Sequence, residues 1–362
     1  MNARLLRKLA ELGMQIRVIS PRPRLPGTAH SDFESVSDDP LPARFVPVPY
    51  IPKVGSRWND TLMRRALRTP FREELEDFRP NLVLGAWMYP DGCAVADLAA
   101  SAGIDCALIA QGTDLHGYLG DSVRRRKILR AVDRAGITIT RSRSLQNLLL
   151  EAGARPEKLR TIHNGVDTQL FQPGDRSSAR SRLNLPETTP VILFVGNLLP
   201  IKDPEFLVRA IASVEKLPLL VLVGEGPLES GVRSLAEKLG LSDRVRLVGR
   251  QPPEKVSLYM QAADLLAVSS RNEGLPNVIL EAFSSGLPVV ATDVGGISEL
   301  VSHPLLGAVV PTGNVEEFSR AIEQRLNESA GHQEIHEVGR KFSWERTCDQ
   351  YIEAFKRFET GP

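Results

Sequence analysis

The segment Glu273-Gly-Leu-Pro-Asn-Val-Ile-Leu-Glu281 sets two carboxylates eight positions apart, with Gly274 and Pro276 between them. The apolar run at 265–270 reads as a buried strand. Pro276 suits the first turn of a helix, where its missing N–H costs nothing, and Gly286 with Pro288 closes that helix. Glu273 is therefore expected on a strand-to-helix loop, and Glu281 about one and a half turns inside the helix. Between them falls a helix N-terminus, whose free N–H groups and positive dipole end favour phosphate. Such a site suits a ligand that is anionic in its middle and rich in hydroxyls at its ends, as a nucleotide sugar is. Two solvated glutamates on a surface helix would have the same spacing. The neighbours weigh against that: Pro288-Val-Val-Ala-Thr-Asp293 is a second buried strand, and Gly295-Gly-Ile-Ser-Glu299 a second glycine turn. Glycine turns at the carboxyl ends of parallel strands are where open α/β sheets bind ligands.

Elements that could position these groups recur along the whole chain. Strands are expected at 15–20, 45–50, 81–87, 106–111, 137–141 and 160–163, then at 191–195, 219–223, 245–248, 265–270, 289–292 and 308–310. Helical stretches fall between most of them, including 57–78, 120–135 and 142–152. Short apolar strands alternating with helices predict parallel sheets covered on both faces. The polar segment 172–190, with several Ser and Pro, reads as a linker. The expected architecture is α/β: two doubly wound, Rossmann-like domains facing across a cleft, at 1–172 and 173–342. A C-terminal helix at 343–362 is expected to pack back toward the first domain.

Composition narrows the class. The chain has 362 residues, 42% hydrophobic and 25% charged, with a net charge of +1. That is ordinary for a globular protein and implies no nucleic-acid partner. Residues 1–172 hold 25 basic and 19 acidic side chains, and residues 173–362 hold 20 and 25. Three cysteines, Cys93, Cys106 and Cys348, lack metal or redox spacing and fit a reduced, cytoplasmic protein. No apolar run reaches the ~20 residues of a membrane span, and the N-terminus lacks a signal peptide's apolar core.

Taken together, the Glu273–Glu281 motif, Gly286-Leu-Pro-Val-Val-Ala-Thr-Asp and Gly295-Gly-Ile-Ser-Glu-Leu-Val resemble the retaining family-4 glycosyltransferases of GT-B fold. Phe194-Val-Gly-Asn-Leu-Leu-Pro-Ile-Lys202-Asp is similar to that family's strand and phosphate loop, Val223-Gly-Glu-Gly-Pro227 to its second glycine turn, and Asn164-Gly-Val-Asp167 to the end of its first domain. The resemblance implies transfer of a sugar from a UDP- or GDP-linked donor, with retention, to a glycan or lipid-linked acceptor, as in cell-surface polysaccharide biosynthesis. It implies no cofactor and no metal. Lys202 would neutralise charge developing on the leaving diphosphate. Glu281 would accept hydrogen bonds from the ribose, and Glu273 would lie at the sugar. Gly196, Asn197, Gly224, Gly274, Leu275 and Pro276 would line the donor, and Arg250 would sit near the base. In the first domain, Ala110-Gln-Gly-Thr-Asp114-Leu-His116 stands where the family often has His-Gly-Ser-Asp, which makes Asp114 and His116 catalytic-site candidates. Tyr89-Pro-Asp91-Gly92 is a candidate for the acceptor side.

Three departures follow from the same resemblance. Asn197 replaces an arginine, losing a charge and a bidentate fork. Gln111 replaces a histidine. The chain also opens inside what would be the family's first helix, without the preceding strand and glycine loop. A start assigned too late, by roughly 20–30 residues, accounts for that. The alternative is a truncated gene product, which would make the chain a catalytically impaired nucleotide-sugar-binding or scaffold protein. A nicotinamide dehydrogenase is disfavoured, because position 229 is Glu where a third glycine should stand. Finally, Trp58, Leu62, Met63 and Phe71 share a segment with Arg57, Arg64, Arg65, Arg68 and Arg72, and residues 123–134 add further arginines. A basic amphipathic helix can dock peripherally on an anionic membrane at the inner face. Helices packed on their own sheet with solvated charges explain the pattern equally, and both readings stay open.

Overall fold

The computed structural model of the chain describes residues 2–24, 41, 43–328 and 331–358. It comprises two compact units: unit 1 is Met1–His163 with Thr347–Pro362, and unit 2 is Asn164–Arg346.

Unit 1 begins with helix α1 (Asn2–Glu11), strands β1 (Val18–Arg24) and β2 (Ala43–Pro49), and helix α2 (Asn59–Asp77). There follow β3 (Leu82–Ala86), α3 (Cys93–Ala102), β4 (Asp105–Ala110), the single turn α4 (Thr113–His116), α5 (Ser122–Arg134), β5 (Ile137–Thr140), α6 (Arg143–Ala152) and β6 (Leu159–Thr161). Each of the six expected strands forms, with ends shifted by up to four residues. The parallel sheet is in two pieces, a β1-β2 pair and the four-stranded β3-β4-β5-β6. Helices α5 and α6 start on side-chain caps: Asp121 accepts from the N–H groups of Val123 and Arg124, and Ser142 from that of Leu145. The apolar stripe of α2 is spent inside the unit. Met63 and Leu67 pack with Val46 and Val48 of β2 and with Ala94 and Leu98 of α3. Of the four apolar side chains expected on a docking helix, Met63 is buried, Leu62 and Phe71 are half-buried, and Trp58 is exposed.

Unit 2 runs α7 (Arg176–Leu183), β7 (Val191–Val195), α8 (Pro204–Ala212), β8 (Leu219–Val223), α9 (Glu229–Lys238), β9 (Val245–Leu247), α10 (Pro253–Ala262), β10 (Leu265–Val268) and α11 (Asn277–Ser284). It continues with β11 (Val289–Thr292), the short α12 (Ile297–Leu300), β12 (Gly307–Val310), α13 (Val315–Asn327) and α14 (His332–Gly339). The last helix, α15 (Trp344–Phe355), starts in unit 2 and has its remaining residues in unit 1. All six strands are parallel, in the order β12-β11-β10-β7-β8-β9. Alternate residues enter opposite cores: Leu193, Val221, Leu266 and Val268 one, and Ile192, Phe194, Leu220 and Leu265 the other. This is the period-2 alternation of a sheet buried on both faces.

The segment 172–190, expected as a linker, instead contains α7 and is built into unit 2. Arg180 is 1% exposed. Its guanidinium donates to the carbonyls of Ala262, Pro186, Glu187 and Thr189 and to Asp264 at 2.6 Å. Polar composition suggested solvent. In fact the polarity is consumed by a buried arginine that gathers orphan carbonyls.

Candidate donor site and the carboxylate cluster of unit 1

Strand order in unit 2 reverses between β7 and β10. From β7 the chain winds toward β8 and β9, and from β10 toward β11 and β12. Loops leaving two adjacent strands in opposite senses open a crevice at their carboxyl ends. Lys202 lies on the loop after β7, and Glu273 on the loop after β10. The structure joins them: Lys202 Nζ pairs with Glu273 Oε1, to which Ser270 Oγ also donates at 2.6 Å. Further bonds hold the two loops in register. Ser269 Oγ donates to the Lys202 carbonyl (2.8 Å), the Arg271 N–H to the Ile201 carbonyl (2.8 Å), and Arg271 Nε to Asp203 (2.8 Å).

The glycines are demanded by contact. Gly224 has φ +147°, and a Cβ there would lie 1.9 Å from the Gly196 carbonyl oxygen. Gly295 has φ +58°, and its Cβ would lie 2.0 Å from the Glu273 carbonyl oxygen. The turn after β8 therefore rests on the β7 loop, and the turn after β11 on the β10 loop. The Gly296 N–H donates to the Gly274 carbonyl at 2.9 Å, and the Leu198 N–H to the Glu225 carbonyl at 2.9 Å. Asn197 is exposed beside this wall, and Leu275 and Pro276 are buried beneath it. Pro276 is the N-cap of α11, one position ahead of its expected place, and Glu281 is half-buried on the helix's second turn. Arg250 is exposed, and its N–H donates to Glu225 at 3.3 Å.

Sequence reasoning missed several members of this assembly. Ser270, three residues before Glu273, orients that carboxylate. Asp203 holds Arg271 on the lysine loop. Asn164 Nδ2 donates to Asn277 Oδ1 at 2.8 Å, which ties the Asn164–Asp167 motif to the start of α11. A serine i−3 to the glutamate was the available signal for the first. Nothing local signalled the other two.

In unit 1, Asp114 is fully buried, and its carboxylate accepts from the N–H groups of Met88 (2.8 Å), Gln111 (3.0 Å) and Gly112 (2.7 Å). It organises the loops after β3 and β4. Burial raises its pKa, and those backbone bonds oppose the rise. His116, at the end of α4, is exposed. Asp91 is the neighbouring carboxylate. Burial, with the charge of Asp114 adding, pushes its pKa up to about 6. Below it, Tyr89 donates to the Ser56 carbonyl (2.6 Å), Arg124 lies over the Tyr118 ring at 4.9 Å, and Lys127 holds Asp60 at 2.6 Å. Among the described residues, no group of His, Cys, Asp or Glu is arranged to hold a metal ion.

Residues 2–170 match the model of Glycosyltransferase Family 4, and residues 175–342 that of Glycosyl transferases group 1. Similar curated proteins include the D-inositol 3-phosphate glycosyltransferases of Mycobacterium leprae, 37% identical over 219 residues, and of Segniliparus rotundus, 33% over 248. These alignments cover 56% and 63% of this chain, and the chain spans only about half the length of those relatives, 50% and 55%. Among solved structures, the sucrose-phosphate synthase of Thermosynechococcus elongatus superposes with TM-score 0.78 at 22% identity, covering 98% of this chain and 91% of that one. Anabaena HepE in complex with UDP gives 0.75 at 21%, covering 87% and 86%. Two family domains in succession, two Rossmann-like units and GT-B neighbours lead to one assignment: the chain belongs to the GT-B glycosyltransferases with a family-4 first domain and a group-1 second domain.

Proposed function

We propose that this protein is a retaining hexosyltransferase that moves a sugar from a UDP- or GDP-linked donor to a glycan or lipid-linked acceptor, in cell-surface polysaccharide assembly on the cytoplasmic side of a membrane. The observation that carries the reading is Lys202 on Glu273 and Ser270 at the strand-order reversal of unit 2. A donor diphosphate would take Lys202 as its counter-charge, with the amides at the head of α11 as further donors. Glu273, released from the lysine, would accept from the sugar hydroxyls, and Glu281 from the ribose. The acceptor hydroxyl would attack the anomeric carbon on the face the phosphate leaves. Its proton would pass to the departing phosphate oxygen as the C–O bond to phosphate breaks and the new glycosidic bond forms. Asn197 brings no charge, so charge neutralisation rests on Lys202. Unit 1 would carry the acceptor, with Asp114 shaping its loops and Asp91 and His116 available to hydroxyls.

The test uses the full chain with UDP- and GDP-hexoses and a panel of acceptors that includes inositol phosphates and lipid-linked saccharides. Release of nucleoside diphosphate should fall roughly 100- to 1,000-fold in Lys202→Ala, and Glu273→Ala should lose transfer. Retention is read from the anomeric configuration of the product. If the donor binds but neither variant changes its slow hydrolysis, and no acceptor is glycosylated, the scaffold reading replaces this one.

A further inference from the structure

A cavity of about 350 Å³ opens in unit 2 between the loop 301–304, which leads toward β12, and one face of α13. Ala321, Gln324, Arg325 and Glu328 share that face at helical spacing. Gly307 and Ala308, the first residues of β12, complete the lining. The cavity is therefore at the amino end of a parallel strand. Lys202 and Glu273 stand on loops at the carboxyl ends of the same sheet. A four-residue strand such as β12 sets the two ends roughly 13 Å apart, so a small ligand bound here is not the sugar donor.

The polar wall is firmly held. The Arg325 side chain is only 8% exposed. Its Nη1 donates to the Pro304 carbonyl at 3.2 Å and to Glu328 Oε2 at 2.6 Å. Its Nη2 reaches only the Leu305 carbonyl, at 3.4 Å, and the buried Nε has no acceptor among the described residues. The guanidinium thus has hydrogen bonds left to give. Gln324 Nε2 donates to Glu328 Oε1 at 2.9 Å, which turns the amide's carbonyl into a further acceptor beside the carboxylate. His303 Nδ1 accepts from the Leu305 N–H at 3.1 Å, so the ring carries its proton on Nε2, where it can donate. Ser302 adds an exposed hydroxyl.

Charge selects the class of ligand. Arg325 and Glu328 cancel each other. An anion would have to displace Glu328 from both Arg325 and Gln324, at the end of α13 whose dipole repels negative charge. A cation would find one carboxylate, already paired. A hydroxyl donates and accepts at once, and so matches a wall on which donors and acceptors are interleaved. Ala308 and Ala321 offer small apolar surfaces to the C–H face of a ring. The volume is near the small end of ligand sites, which run roughly 300–1,000 Å³. We propose that this cavity binds an uncharged mono- or disaccharide unit, between Ser302 and His303 on one side and Gln324, Arg325 and Glu328 on the other. The site goes beyond the donor chemistry above, since binding needs neither nucleotide nor transfer. It would let unit 2 hold a carbohydrate at the end of the sheet opposite Lys202 and Glu273.

Saturation-transfer difference NMR on the full chain tests this with glucose, mannose, myo-inositol and maltose, each alone and then with UDP added. At least one of the four should bind in the millimolar range, and UDP should leave its signal unchanged. The Ser302→Ala/Gln324→Ala double variant, altered only at exposed side chains, should weaken binding roughly tenfold. Ala321→Phe, which fills the cavity, should remove it; if that variant does not fold, the double variant decides. Glucose 6-phosphate should bind no more tightly than glucose. Absence of binding by all four neutral compounds overturns the proposal, as does a signal that the double variant keeps at full strength. Loss of the signal on adding UDP would assign it to the donor site, and tighter binding of glucose 6-phosphate would assign the cavity to an anion; either result also overturns the proposal. Thermal shift with UDP-sugars reads the donor site separately, and the double variant should keep it.

Discussion

Replacing Asp91 by Asn should stabilise the protein, and by an amount that depends on pH. The carboxyl is half-buried beside the fully buried Asp114, and its desolvation, with that neighbouring charge adding, lifts its pKa from 3.8 to about 6. The folded chain therefore binds that proton more tightly than the unfolded chain does. The resulting stability is fully present below about pH 3.8 and is lost as pH rises through about 6. Two pKa units at 1.36 kcal/mol each amount to about 3 kcal/mol by pH 8. Asn has nearly the same shape and never ionises, so it should escape that loss. Urea unfolding of wild type and Asp91→Asn from about pH 4 to about pH 8 measures the effect. The two should nearly coincide at the acid end and separate by about 3 kcal/mol at the alkaline end, with most of the divergence between pH 4 and 6. A stability difference that stays flat with pH would refute the reasoning, because a change in packing alone carries no proton. A stabilised variant that also loses acceptor-dependent turnover would mark Asp91 as a carboxylate kept at a cost to the fold.

The two fully buried arginines should respond oppositely to methionine. Arg180→Met takes the shared donor from four carbonyls and leaves Asp264 with only Arg176 and the Val191 N–H, and should cost about 3–5 kcal/mol, whereas Arg141, which has no carboxylate partner among the described residues and whose Cζ lies 5.6 Å from the Tyr351 ring centroid, should give a variant at least as stable as wild type; denaturant unfolding distinguishes them. Gly224→Ala should lower the melting temperature and abolish donor-induced stabilisation, because its Cβ meets the Gly196 carbonyl, while Gly240→Ala, with φ +68° and open space around it, should cost only about 1–2 kcal/mol of backbone strain and leave donor binding intact. Thiol-specific reagents should react slowly with the native chain and rapidly after unfolding: all three cysteines are buried, and burial pushes the Cys106 thiol up to about 12 and Cys93 upward as well.

Much of this could be read along the chain, for identifiable reasons. The β10–α11–β11 run is legible because its apolar strands and its Gly and Pro punctuation act locally, and because Glu273 and Lys202 sit on loops that the strand–helix alternation marks. Their direct pairing was not legible, because it depends on which strands are neighbours, and strand order is written in no local pattern. Asp114 could be picked out as a catalytic-site candidate, but no side-chain motif announces that its oxygens accept from three backbone amides. The segment 172–190 misled because its polarity matches a linker, while its structural content is one arginine whose acceptors lie on carbonyls. In α2 the apolar and basic residues were both visible, but only the packed structure shows that Met63 and Leu67 face inward while Trp58 does not.

Lys202 and Glu273 are 71 residues apart in sequence and meet only when β7 and β10 lie side by side. Under the proposed function, a partly folded unit 2 lacking either half would have no counter-charge to offer a diphosphate and no carboxylate to offer a sugar. Donor affinity and the cooperative folding of this unit therefore form a single linked equilibrium. A cell rich in the donor would hold the unit folded by mass action, adding about 2.7 kcal/mol when the ligand stands a hundredfold above its dissociation constant. When the donor is depleted, the same unit would be the more exposed to proteolysis, so the lifetime of the protein would follow the supply of its substrate.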